Sequence, residues 1–136
     1  MNLCSIASGS SGNCIYTGTE KTGILIDAGI SAKKIEQGLA EIDRNIKEIK
    51  GIFVSHEHSD HISGLGVISR KYGIPIYATK GTLEAIASVK NGPDSSLFHE
   101  IKEDVRFTIK DMTVYPMRIS HDAAQPVAYK FGFGDK

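Results

Sequence analysis

The sequence predicts an α/β domain of the layered α+β kind, and three observations carry that expectation. Apolar, strand-like runs alternate with helix-like stretches as far as residue 90. From residue 99 onward the pattern becomes strands separated by polar turns. Residues able to bind metal gather where one apolar strand ends, which is where α/β sheets build their sites.

The elements follow in order. "LCSIAS" and "GNCIYTGT" read as two short strands, joined by the turn-rich residues Gly9 to Asn13. "GILIDAG" is a third strand, apolar enough to be buried on both faces. Ser31 is placed to cap a helix over "AKKIEQGLAEID", with Ile35, Leu39 and Ile42 on one stripe. "GIFVSH" is a fourth buried strand. A second helix starts at Ser59 or Asp60 and runs to Tyr72, where Gly73 and Pro75 stop it. "PIYAT" is a strand, and "GTLEAIASVK" a third helix ended by Asn91-Gly92-Pro93-Asp94. "HEIKEDVRFTIKDMTVYPMRIS" reads as strands with turns at Glu103-Asp104 and Lys110-Asp111, and "PVAYKFGFGD" as a last strand.

Composition narrows the function classes. The 136 residues suit one domain, and the 40% hydrophobic and 24% charged fractions suit a soluble globular one. The formal net charge is zero, so no global field draws the chain to nucleic acid or anionic membrane. No apolar run is long enough to span a bilayer. Cys4 and Cys14 form no CxxC pair and no signal peptide precedes them, which predicts free thiols in the cytoplasm.

The chemistry concentrates in "FVSHEHSDHISG". After a strand, His56 and His58 sit at i and i+2, on one side of extended backbone, and Asp60 continues the pattern. His61 follows where a helix turns the chain back toward the same volume. Imidazole and carboxylate are ligands that zinc and related metals accept. His121 ends another expected strand and is the candidate third histidine beside His56 and His58. Asp60 and His61 then begin a second site, since paired metals can clamp attacking and leaving oxygens together. Asp60 is also the candidate catalytic residue, orienting a metal-activated hydroxide. Asp27 is a candidate for holding a ligand histidine in one tautomer. Ser10, Ser11 and Asn13 could cradle a phosphate through a glycine-rich loop. His99 lacks such a placement and is expected on the surface. Glu57 and Ser59 are expected to be solvated or capping, Gly64 to allow close helix packing, and Asp122 to be a site or turn residue.

"HEHSDHISG" matches HxHxDHxxG, and the chain resembles the metallo-β-lactamase superfamily in its hydrolase and nuclease-like branch. "LIDAG" and "ISHD" match further motifs of that family, while "SIASGSSGNC" and "SHDAAQPVAY" resemble its YycJ/WalJ group. The resemblance implies an αββα sandwich and two divalent metal ions, usually zinc, with manganese or iron as alternatives. It implies a DNA exonuclease or other phosphodiesterase in the complete form, with DNA as candidate substrate and no membrane partner. A thioester or lactone hydrolase is the alternative within the family, and a non-catalytic metal-binding fragment the alternative outside it. Complete members carry a later aspartate and histidine that have no counterpart here. Residues 1–136 are therefore expected to be the N-terminal half of the sandwich, inactive alone. Strands containing Ile52, Val54, Ile76, Val114, Val127 and Tyr129 would then expose an apolar face through which two copies associate.

Overall fold

The computed structural model describes residues 2–7, 12–19, 22–90, 92–119 and 123–133. Nine strands and four α-helices occur among them. The strands are β1 (Asn2–Ala7), β2 (Cys14–Gly18), β3 (Gly23–Ile26), β4 (Ile49–Phe53), β5 (Ile76–Thr79), β6 (Phe98–Ile101), β7 (Phe107–Ile109), β8 (Met112–Arg118) and β9 (Val127–Phe133). The helices are α1 (Ala32–Glu41), α2 (Ser59–Ile62), α3 (Leu65–Tyr72) and α4 (Lys80–Ala87).

The first six strands form one sheet in chain order, β1 to β6. Its first two pairings are antiparallel and the remaining three parallel. Parallel neighbours need crossovers, and α1 and α3 lie in two of them, between β3 and β4 and between β4 and β5. The last three strands form a separate antiparallel sheet, β7-β8-β9.

Side-chain alternation along the central strands builds two cores. Leu25, Ile52, Val54, Ile76 and Ala78 meet Ile35 and Leu39 of α1, Leu65 and Ile68 of α3, and Leu83 and Ile86 of α4. Ile24 and Phe53 point the other way and meet Met112 and Val114, with Tyr77, Phe107, Tyr129 and Phe131 packed around them. The layers are thus helices, large sheet, small sheet.

Three expectations need correction. Ile52, Val54 and Ile76 face the helices, not the second sheet, because Phe53 and Tyr77 occupy the opposite parity of those strands. The strands expected to expose an apolar face do not leave these six residues open. Ile52, Val54, Ile76, Val114 and Val127 are fully buried, and Tyr129 is partly buried. The β-meander itself is a second sheet, and it covers the first. Finally, the helix expected over residues 59–72 is two helices. Gly64 interrupts it, because its N–H donates to the Ala28 carbonyl (2.8 Å) and its backbone lies against the Ile30 carbonyl where a Cβ would collide.

The remaining elements agree with the sequence reading within a few residues. Ser31 caps α1, its hydroxyl accepting from Lys34 N–H at 3.3 Å. Gly73 ends α3 in the left-handed conformation, φ 64°.

Candidate metal centre

Two backbone segments meet to make the site. β3 ends at Ile26, and Asp27 turns the chain with φ 64°, a left-handed conformation that few residues other than glycine adopt. Its N–H still donates to Phe53 O of neighbouring β4 (2.8 Å). Residues 27–30 then run along residues 60–64. Ala28 N–H donates to His61 O (2.8 Å), and Ser63 Oγ to Gly29 O (2.7 Å). Asn13 joins them, its N–H donating to Asp60 O (2.7 Å) while its carbonyl accepts from Gly29 N–H (2.8 Å). Gly29 has no room for a side chain, since a Cβ would overlap the Asp60 carbonyl.

Asp27 is 5% exposed and lies behind the histidines. Its Oδ1 accepts from Ser55 N–H (2.7 Å). Its Oδ2 accepts from Ser55 Oγ–H (2.7 Å) and from His61 Nδ1–H (2.6 Å). Ser55 Oγ lies 2.9 Å from His56 Nδ1. Burial disfavours charge on His61, but the Asp27 hydrogen bond and the charges of Asp27 and Asp60 outweigh it, and the His61 pKa is raised. A metal bound to this imidazole would have to compete with the proton.

The structure brings together His56, His58, Asp60, His61, Asp27 and Asn13. The His56 ring centroid lies 4.8 Å from that of His58 and 3.9 Å from that of His61. Asp60 Oδ2 is 3.5 Å from His61 Nε2. Asn13 Nδ2 is 3.3 Å from both Asp60 Oδ2 and His61 Nε2. Asp60 does not extend the strand-like alternation of His56 and His58, because it sits in the one-turn helix α2 that His58 opens. Asn13 reaches the site although β3 separates β2 from β4. His121, Asp122, Ser10 and Ser11 lie outside the described residues. His99 is exposed, stacked on Tyr77.

The donor chemistry fits a first-row divalent ion. Nδ1 of His61 is engaged from behind by a carboxylate, and Nδ1 of His56 by a hydroxyl that the same carboxylate holds. Such outer partners commonly orient metal-binding imidazoles and leave Nε2 for the metal. Among the described residues, no three His, Cys, Asp or Glu side chains yet converge on one point.

The sequence reading missed three contributors. Ser55 was passed over as the residue before the motif, although a hydroxyl at a strand end beside a histidine is a readable signal. Glu57 is half-buried and only partly in solvent. Its Oε2 accepts from Ala124 N–H (2.9 Å), and its Oε1 is buried without a hydrogen-bond partner among the described residues. Gln125 fastens the segment after His121. Its carbonyl accepts from the hydroxyls of Thr79 (2.7 Å) and Thr82 (3.2 Å), and its Oε1 accepts from Gly81 N–H (2.8 Å). Val127 N–H donates to Ser55 O (3.0 Å), so this segment is tied to the histidine loop itself.

The profile of the metallo-beta-lactamase superfamily matches residues 7–126. The chain is 44% identical over 127 residues to "Exodeoxyribonuclease YycJ" of Bacillus anthracis, covering 93% of this chain and 48% of that protein. It is 44% identical over 133 residues to "Exodeoxyribonuclease WalJ" of Streptococcus pneumoniae serotype 2 strain D39, covering 96% of this chain and 49% of that protein. The chain thus spans about half the length of these curated relatives. Among solved structures, the Rm3 metallo-beta-lactamase superposes with a TM-score of 0.81 at 17% identity, over 98% of this chain and 55% of that one, and shares the fold.

Proposed function

The chain belongs to the metallo-beta-lactamase superfamily, and on that premise we propose that it forms part of a metal-dependent phosphodiesterase, a DNA exonuclease. The observation that carries the reading is the Asp27 carboxylate, which backs two histidines of the HxHxDH loop directly or through one hydroxyl. The nuclease assignment is supported by the 44% identity to two proteins named exodeoxyribonucleases. A soluble hydrolase fits the described residues, in which no helix is long and apolar enough to cross a membrane. Free, buried Cys14 fits the reducing cytoplasm we assign to it.

His56, His58 and His121 would hold one divalent ion, and Asp60 with His61 the other. Zinc suits this donor set best, with manganese or iron as alternatives. When bound, such ions supply a nucleophile at neutral pH and neutralise charge on the phosphoryl group. The protein's own residues do the positioning. Asp27 fixes the His61 ring by holding its Nδ1–H. Asn13 steadies Asp60 through its amide. Asp60 would help hold the ion and orient the nucleophile through its carboxylate. Ser10 and Ser11 are assigned to phosphate contact, and Asn13 shares that role at its edge.

The 136 residues alone are proposed to be an inactive N-terminal portion, and to self-associate. Sedimentation as a monomer would overturn the self-association.

An activity panel on the full polypeptide tests the main reading. Linear DNA, a simple phosphodiester and a thioester are offered with zinc or manganese, using His58→Ala as control. DNA cleavage that needs both metal and His58 is expected. Thioester cleavage alone would overturn the nuclease assignment while keeping the metal centre.

A further inference from the structure

We propose that Ser55 is a positioning residue that passes the orienting effect of Asp27 on to His56, so that one buried carboxylate sets the tautomers of two ligand histidines. The inference rests on the metal-centre reading and deepens it.

Proton accounting carries the argument. The Ser55 hydroxyl has one proton to give and can accept others. Asp27 Oδ2 lies 2.7 Å from Ser55 Oγ and, as a carboxylate, can only accept. The hydroxyl proton is therefore committed to Asp27. His56 Nδ1, 2.9 Å from the same Oγ, can bond to it only by donating. That places the proton on Nδ1 of His56 and the lone pair on Nε2. His61 reaches the same tautomer by a direct route, donating Nδ1–H to Asp27 Oδ2 at 2.6 Å. His56 is 6% exposed, so water cannot readily substitute for the hydroxyl.

The hydroxyl is separable from the scaffold. The Ser55 backbone is fixed by its own bonds, N–H to Asp27 Oδ1 (2.7 Å) and carbonyl from Val127 N–H (3.0 Å). Removing Oγ takes away the relay and leaves those bonds in place, so Ser55→Ala is expected to fold. Ser55→Thr keeps the hydroxyl.

The test uses the full polypeptide freed of metal. Long-range proton–nitrogen NMR spectra at about pH 8, where free imidazole is neutral, report which ring nitrogen carries the proton. Wild type and Ser55→Thr are expected to show His56 protonated at Nδ1. Ser55→Ala is expected to move His56, but not His61, toward protonation at Nε2. Zinc affinity measured by calorimetry should fall about 10–100-fold in Ser55→Ala and recover in Ser55→Thr. A wild-type His56 protonated at Nε2 would overturn the proposal. So would a Ser55→Ala protein with unchanged His56 tautomer and unchanged zinc affinity. If circular dichroism shows Ser55→Ala unfolded, the wild-type and Ser55→Thr spectra decide. Unchanged zinc affinity in His58→Ala would instead count against the metal reading, and leaves the tautomer result to be judged separately.

Discussion

Asp27, itself 5% exposed, holds three donors, and it does so from a left-handed backbone. Non-glycine residues held in such conformations cost about 1–3 kcal/mol and cluster at functional sites. Asp27→Ala would strand the Ser55 and His61 donors, and is expected to cost about 3 kcal/mol or more in urea unfolding. Asp27→Asn keeps an acceptor and tolerates the backbone, so it should cost less. Equal losses would mean that the carboxylate has no special part. Cys14 offers a separate check. Burial, aided by the charge of Asp27, pushes its thiol from an ordinary 9.0 up to about 12. The folded state thus holds this proton more tightly than the unfolded state does. That contribution is whole below pH 9.0 and is lost as pH climbs toward about 12. Cys14→Ala should flatten the alkaline side of the stability profile, and parallel profiles would contradict the assignment.

At the scale of elements, the site depends on how closely residues 27–30 approach residues 60–64. Gly29 and Gly64 each lie against a carbonyl of the other segment. Gly64→Ala should force the segments apart and cost about 1–3 kcal/mol, with a matching fall in metal affinity. Lost stability without weaker metal binding would separate packing from the site. Tyr129 makes a comparable tie between the sheets, its hydroxyl donating to Val54 O (2.7 Å). The sequence was most legible where one signal dominates. Ser31 and Gly73 marked helix ends because capping is local chemistry. The histidine cluster was visible because its spacing is dense. The break at Gly64 was hidden, since it comes from a partner segment distant in sequence. Which side chains of β4 and β5 meet the second sheet was hidden for a related reason. Both faces of a buried parallel strand are apolar, so alternation does not say which side meets the helices. Ser55 and Glu57 act through partners at residues 27 and 124, which spacing alone does not bring together.

Over the whole molecule, Phe53 joins the layers. It is fully buried between the sheets, stacked on Tyr77 at 4.7 Å and edge-on to Tyr129 at 5.4 Å and Phe131 at 5.6 Å. Phe53→Ala should cost about 3–5 kcal/mol and loosen β9 from the strand that carries the histidine loop. A loss near that of a surface substitution would show that the small sheet is not packed as described. The same packing explains why the loop can be a precise site. Parallel pairing fixes β4 up to Phe53, β3 delivers Asp27 from beside it, and Ala124 and Val127 bond to Glu57 and Ser55 on the way into β9. This geometry supports the proposal that the loop from His56 to His61 binds metal. Zinc titration of the full, metal-free polypeptide tests it most directly, comparing wild type with His58→Ala. Tight binding is expected, weakening sharply in the variant while the fold, judged by circular dichroism, is kept. Equal binding by both proteins, or none by either, would contradict it.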